Sequence, residues 1–493
     1  MNHVKRAALA AWLTALLLLL GGCVSQLSER EMADLSDAEI HPDVPAPTQD
    51  GVQDGELLCT LYFLNEDGSR LIPVTRSVTV QGGESRAQAA LGALLLGPQE
   101  GEDGVSWPDL DTARGERLLE VSCGVATVNL PARLRTLSQE MLYAVRMAIA
   151  NTLTEFSEIS YVNVLIGGRE EGLDLGATLP VGTFTRIDDL DVSARFSRLH
   201  EQRLSSGGVT LLTTLYFPAA EGGLLLPEVR SIAYAQVSPI EYLYTLLGEM
   251  GKGASLALCA QDVPAPMDYI EEMPEIVRTE DGYVAIELRL NKELEPALEA
   301  SGITLETYMT MLTDTLMGFV PGVEGIRVMI GGEIEKSLAT RDDFEGCIGA
   351  PATLYVMDGK GLSRVQRVLP QAHADDARAR LSALMALGGE ELFALPDGLT
   401  QEDILAVFVG DETIAVNLSG RFRDALAALG PGQERAAVYA MVNTLTEGAR
   451  ASRVAFFFEG EQVQTLAGEL EMRGTFVRNP GMVVTDDGSV GVL

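Results

Sequence analysis

Apolar residues recur at helical spacing in three places along the chain. Leu142, Val145, Ile149, Leu153 and Phe156 are separated by steps of 3, 4, 4 and 3, the spacing of a helix that buries one face. Leu305, Tyr308, Leu312, Leu316 and Phe319 repeat the same steps 163 residues later. A third version keeps Ala437, Met441 and Leu445 but has Glu434 and Gly448 at its ends, which predicts a shorter helix. The wording recurs with the spacing: AIANTLTEF at 148–156, AMVNTLTEG at 440–448 and, more loosely, MLTDTLMGF at 311–319.

Strand patterns surround each of these helices. CTLYFLN (59–65), TTLYFPA (213–219) and ATLYVMD (352–358) alternate β-branched and aromatic residues and run into turns rich in Gly, Asp or Pro. A second strand follows each of them and carries Arg76, Arg230 and Arg367 in matching places. A first helix comes next. Ser85 with Gln88 and Ser238 with Glu241 have capping-box spacing, and Pro239 stands at the first helical position. A hairpin then appears three times, with turns Cys-Gly, Glu-Asp-Gly and Gly-Asp-Glu that suit positive φ. VNVLIGG, IRVMIGG and RVAFFFEG close the units.

The expected fold class is therefore α+β: three tandem β-β-α-β-β-α-β modules, each a small sheet packed on two helices. They span 55–190, 208–340 and 350–480, with GTFTR (182–186) and GTFVR (474–478) as extensions of the first and third. The sequence does not say whether those extensions pack on their own module or reach the next. At 493 residues the chain is long enough for three such cores. Polar stretches near 190–207 and 333–350 read as linkers.

The N-terminus follows a different pattern. Lys5 and Arg6 precede an apolar run from Ala7 to Leu20 that stops at LGGC, an export signal too short to span a membrane comfortably. Small residues directly before Cys23 resemble a bacterial lipobox, which implies cleavage after residue 22 and acylation of Cys23. Acyl chains would then hold the protein on the extracytoplasmic face of the cell membrane. Residues 24–54, acidic and carrying Pro42, Pro45 and Pro47, read as a flexible tether.

Composition narrows the function by exclusion. With 71 acidic against 36 basic residues the net charge is −35, which disfavours nucleic acid as a partner. Cys59, Cys123, Cys259 and Cys347 are scattered without a C-x-x-C pair, and whether they form disulfides is left open. Only His200 and His373 fall in the folded region, both in polar surroundings that suit exposed loops. The segment GEMGKGAS lacks the Ser or Thr that a phosphate loop places after its lysine. No cofactor, metal site or catalytic residue is expected, and the chain is read as a non-enzyme.

Asn151, Asp314 and Asn443 occupy one position of the repeated helix, roughly 160° from the middle of its apolar stripe at 100° per residue. Two readings stay open for them, a solvated polar residue near a helix end or a contact with a neighbouring module. Together with Arg76, Arg230 and Arg367 they are the candidate interaction residues.

The LYF strand, IPVTR with Arg76, LLLGP with Gly97 and Pro98, GVATVNL, NTLTEF and VNVLIGG together resemble the GerMN domain of sporulation and spore-germination proteins. The first copy, about 57–168, matches best; the third keeps AVNLS and NTLTEG; the second keeps the order of elements and MIGG. The resemblance implies a membrane-tethered, non-enzymatic envelope component of an endospore former, and partners among other envelope or sporulation proteins. A lipoprotein that binds cell wall or a small ligand in its module grooves is the alternative.

Overall fold

A computed structural model of the protein describes residues 38–39, 44–105, 118–173, 179–205, 208–221, 223–344, 346–359, 361–387, 395–468 and 470–484. Helices and strands mix throughout. Buried apolar side chains gather in three main clusters, whose members run from Cys59 to Val192, from Leu211 to Ile348 and from Leu354 to Val483.

Each segment builds two ladders rather than one sheet. In the first, Gly55–Leu64 and Leu71–Val80 pair antiparallel, placing Cys59 opposite Arg76. Separately, Leu119–Ser122 runs antiparallel to Val125–Leu130, which pairs in parallel with the closing strand Tyr161–Ile166. The second segment repeats this with Val209–Pro218 and Leu225–Tyr234, then Ile270–Arg278, Val284–Leu290 and Gly325–Ile330. The third does so with Gly349–Asp358 and Gly361–Pro370, then Ile404–Val409, Thr413–Leu418 and Arg453–Phe458. The helix bearing the apolar stripe packs against both ladders, which is why its own side chains are buried almost all round.

Local chemistry places the helices. Ser85 and Gln88 close a reciprocal capping box ahead of Arg86–Leu95, and Ser238 accepts from the Glu241 N–H ahead of Pro239–Met250. The left-handed hairpin turn falls on Cys123 and Gly124, at φ 49° and 78°. Two short helices, Leu294–Ser301 and Gly420–Ala427, are additions that the periodicity did not predict.

Four expectations are corrected. The third stripe helix, Pro431–Thr446, is the longest of the three rather than the shortest. Its Glu434 does not end it: the side chain is fully buried and accepts the Ala467 N–H at 3.3 Å, holding the loop after the closing strand. The stretches 190–207 and 333–350 are not bare linkers, since they contain the helix Val192–Ser205 and the strand Glu333–Ala339. That helix lies against Gln139–Leu153 through Phe196, whose ring centroid is 5.7 Å from that of Tyr143. His200 sits in this helix, not in a loop, and His373 is exposed in a short 3-10 turn. Finally, the tether is not free over its whole length. Residues 44–54 lie along the third segment, and Gly51–Val52 pairs in parallel with its strand Ile404–Val409. Cys23 and the apolar run before it lie outside the described residues. Among those described, no helix is long and apolar enough to cross a membrane.

Candidate functional site

The repeated words NTLTE, DTLMG and NTLTE face the repeated tyrosine of the first strand. The hydroxyl of Thr152 accepts the Tyr62 N–H at 3.0 Å, Thr315 accepts that of Tyr216 at 3.0 Å, and Thr444 accepts that of Tyr355 at 3.0 Å. A strand N–H facing a helix has no ladder partner, so a side-chain acceptor must be supplied where water is excluded. The threonine of each word performs that task.

Asparagine, one residue earlier, performs a second. Asn151 is fully buried; its Nδ2 donates to the Ile187 carbonyl at 3.0 Å and its Oδ1 accepts the Ile187 N–H at 2.9 Å. Asn443 grips Asn479 in the same two-bond fashion, at 3.4 and 3.1 Å. Ile187 and Asn479 directly follow GTFTR and GTFVR, so the amide fastens the extension to its own helix. Phe184 of the extension pairs antiparallel with Val162, and Thr475–Val477 with Arg453–Phe458. This corrects both readings of Asn151 and Asn443: neither is solvated, and each contacts its own extension.

The extension brings an arginine to the tyrosine. Arg186 donates to the Tyr62 hydroxyl at 2.8 Å and to Glu155 at 2.6 Å, while the Tyr62 hydroxyl donates to Glu155 at 2.8 Å. The guanidinium carbon stands 5.7 Å from the ring centroid. Arg478, Tyr355 and Glu447 repeat the triad, with Arg364 adding a bond to the Tyr355 hydroxyl at 3.2 Å. Burial first, and then the carboxylate that accepts its proton, pushes the Tyr62 phenol above its ordinary range. The phenol therefore stays protonated and serves as a donor.

The second segment departs from this at two positions. Gly318 stands where Glu155 and Glu447 stand, so Tyr216 lacks a carboxylate of its own. Thr127 of the first segment takes its place, 3.1 Å from the Tyr216 hydroxyl. Asp314 replaces the asparagine and cannot grip a backbone N–H and C=O together. It pairs instead at 3.2 Å with Arg341, whose guanidinium carbon lies 5.4 Å from the Tyr216 ring centroid, as Arg186 lies over Tyr62. Arg341 belongs to SLATR, a third extension that pairs Ala339 with Ile326. Sequence reading missed it; the shared Thr-Arg of 185–186 and 340–341 was the available signal.

Around this tyrosine the first segment docks on the second. Thr183 donates its N–H to the Leu212 carbonyl at 2.8 Å, and its hydroxyl meets that of Thr214 at 2.8 Å. Glu170 donates its N–H to the Met317 carbonyl at 3.0 Å, and Arg169 pairs with Glu324 at 3.2 Å. Gly182, at φ 77°, is required here because a Cβ would lie 2.6 Å from the Leu212 oxygen. A cavity of about 80 Å³ remains at the junction, lined by Glu120, Asn129, Asp314, Arg341, Phe344 and Ile348 among others. Burial outweighs the attraction of Arg341 and pushes Asp314 up to about 6.

The matched arginines of the second strand lie elsewhere. Arg76 donates to the carbonyls of Ala93 and Gly97 and pairs with Glu102, closing the C-terminal end of the helix Arg86–Leu95. Arg230 does the same for Pro239–Met250 through the Glu249 and Gly253 carbonyls, where a cation meets the negative end of the helix. The GEMGKGAS stretch is thus a helix end. Arg367 differs: half-buried, it reaches Glu221 of the second segment at 3.4 Å. The structure does not gather the six candidate residues into one site. Among the described residues no group of three or more His, Cys, Asp or Glu side chains could hold a metal ion, and Cys59, Cys123, Cys259 and Cys347 are free thiols.

The sequence profile of the Germane family, described as sporulation and spore germination, matches residues 60–172 and 353–464. Two segments of this chain are Germane domains. They are the two that carry the Tyr–Glu–Arg triad; the segment between them, with Gly318 and Asp314, falls outside the match. Among solved structures, the tandem GerMN domains of the sporulation protein GerM from Bacillus subtilis are 14% identical over 55% of this chain and 98% of theirs, with a TM-score of 0.21. The first GerMN domain of the same protein is 18% identical over 26% of this chain and 94% of its own, at 0.20. A Clostridium perfringens protein described as a lipoprotein is 17% identical over 26% and 87%, at 0.19. No curated protein matches the chain. The Germane match ties the chain to sporulation or germination.

Proposed function

We propose that this Germane protein is a lipid-anchored, extracytoplasmic scaffold that binds other envelope proteins during sporulation or germination, without catalysis. In this reading the middle segment is a third, diverged Germane module, and Cys23 carries the lipid. The observation that carries the proposal is the docking of the first segment on the second, through Thr127, Thr183 and Glu170. The repeated unit thereby meets a protein surface with the outer side of its sheet and its extension. In the two Germane domains the conspicuous polar groups, Tyr62, Glu155 and Arg186 with their counterparts, are spent on one another and on the backbone.

Two experiments test the reading. Cys23→Ser should abolish lipid labelling and processing in the native host; a protein still labelled, or cleaved elsewhere, would refute the anchor. Crosslinking in sporulating cells should recover envelope proteins with the wild-type chain, and His200 and His373 substituted together should leave the cellular phenotype intact. Loss of function in that double variant would overturn the non-catalytic reading.

A further inference from the structure

The N-terminal segment does not lead from the anchor to the first Germane domain by the direct route. Residues 44–54 cross the outer face of the third segment's sheet. Val44 and Ala46 pack on Ala415, Ala455 and Phe457. Asn417 donates its Nδ2 to the Pro47 carbonyl at 3.1 Å, and the Val407 N–H donates to Asp50 at 2.8 Å. Asp50 pairs with Arg378 at 2.6 Å, the Gln53 N–H donates to the Val409 carbonyl at 2.8 Å, and Arg450 donates to the Gln53 carbonyl at 2.7 Å. At the other edge of the same sheet Ala38 pairs with Phe476 and Glu39 with Thr475.

The face explains why it is covered. By register, Ala415, Asn417, Ala455 and Phe457 correspond to Thr127, Asn129, Asn163 and Leu165, the side that the first segment turns toward the second. In the second segment the corresponding residues are Glu287, Arg289, Arg327 and Met329, a charged lattice with Arg327 3.2 Å from Glu287. A lattice of that kind can face water; a patch of two alanines and a phenylalanine gains by being covered. The chain's own N-terminal segment covers it.

We infer that the third segment, last in sequence, is the part of the molecule that lies against the lipid bilayer, and that residues 44–54 are the strap that fixes this orientation. The inference rests on the acylated Cys23 of the proposed function. Fourteen residues separate Cys23 from Ala38, the first position paired with that sheet, and a chain of that length reaches at most about 50 Å. The strap ends at the third segment, so that short leash leads there first. Charge points the same way. Residues 349–484 carry 12 basic and 17 acidic side chains, against 10 and 19 in 55–190 and 7 and 20 in 208–340. The least acidic segment is the one repelled least by an anionic leaflet.

The test anchors the protein independently of lipidation. Residues 1–23 are replaced by a histidine tag, and the protein is held on vesicles of phosphatidylcholine, phosphatidylglycerol and a nickel-chelating lipid. A headgroup photo-crosslinker is activated and crosslinked peptides are mapped by mass spectrometry. Crosslinks per residue should be at least about threefold denser in 349–484 than in either other segment. Ala46→Asp with Asp50→Arg puts a charge on the apolar face and an arginine against Arg378, releasing the strap; the body then hangs from Gly55 and crosslinks should shift to 55–190. A second variant leaves the face untouched and inserts a long Gly/Ser stretch between Ser28 and Glu29, ahead of the Ala38–Phe476 pairing, which should even out the pattern. An even pattern in the wild type, crosslinks concentrated in 55–190, or a pattern unmoved by both variants would overturn the inference. Failure of Cys23 acylation would leave these results unchanged and would refute only the anchor.

Discussion

Replacing Asn151 by alanine removes one side chain and leaves two buried backbone groups without partners. The Ile187 N–H and C=O, bonded at 2.9 and 3.0 Å, have the asparagine amide as their partner in a site closed to water. An orphaned buried donor or acceptor costs about 1–3 kcal/mol, so the pair should cost roughly 2–5 kcal/mol, reduced if the extension shifts to admit water. Asn151→Asp is the sharper probe, because it keeps the shape and the acceptor but sets a carboxylate oxygen against the Ile187 carbonyl. The second segment tolerates Asp314 at this position only with Arg341 at 3.2 Å; in the first, Arg186 is already held by Tyr62 and Glu155. Both variants should therefore release the extension. The assay is hydrogen exchange by mass spectrometry on the full chain, following the peptide that contains Ile187, together with urea unfolding. Exchange there should rise at least tenfold, while peptides of the third segment stay unchanged. Unchanged exchange with a stability loss below about 0.5 kcal/mol would refute the clamp. By the same reasoning Asn151→Arg should unfold the extension rather than spare the fold and weaken assembly alone.

Thr152→Val, isosteric but unable to accept, should cost about 1–3 kcal/mol by orphaning the Tyr62 N–H, read by urea unfolding; a neutral variant would show that the bond is dispensable. Leu153→Ala, at a fully buried position, should cost roughly 2–5 kcal/mol, and an effect near zero would mean that the stripe faces no core. Thr127→Val and Tyr216→Phe should couple in a double-mutant cycle by about 0.5–1.5 kcal/mol, whereas additivity would remove the hydroxyl pair from the junction. Asp314 sets a pH dependence: its folded value is about 6 against an ordinary 3.8, so between those values the folded state holds more proton than the unfolded one. Its contribution is complete below about pH 4 and is lost as pH rises to about 6, at no more than about 1.4 kcal/mol per pH unit. Asp314→Asn should flatten that window in urea titrations, and an unchanged slope would refute the assignment.

The sequence by itself determined the elements that periodicity and capping control. The stripe from Leu142 to Phe156, the capping box of Ser85 and Gln88, the left-handed turn at Cys123 and Gly124 and the threefold recurrence are local, and each follows from spacing or from a residue's own backbone preference. The family was legible for the same reason, since its wording lies in those elements. What Asn151 touches was not legible. Helical geometry put it opposite the stripe, which reads as solvent when one face of a helix is assumed to be covered. Here the extension returns along the second face, and only that contact buries the amide. Glu434 misled in the same way: a charge inside a stripe signals a helix end unless a distant N–H, that of Ala467, meets it. The strap is the clearest case. Residues 44–54 have the composition of a free tether, and nothing local orders them. Their order comes from Ala415, Ala455 and Phe457, more than 350 residues away in sequence. Burial of one surface by another is a property of the pair, and a sequence read one segment at a time shows only one member.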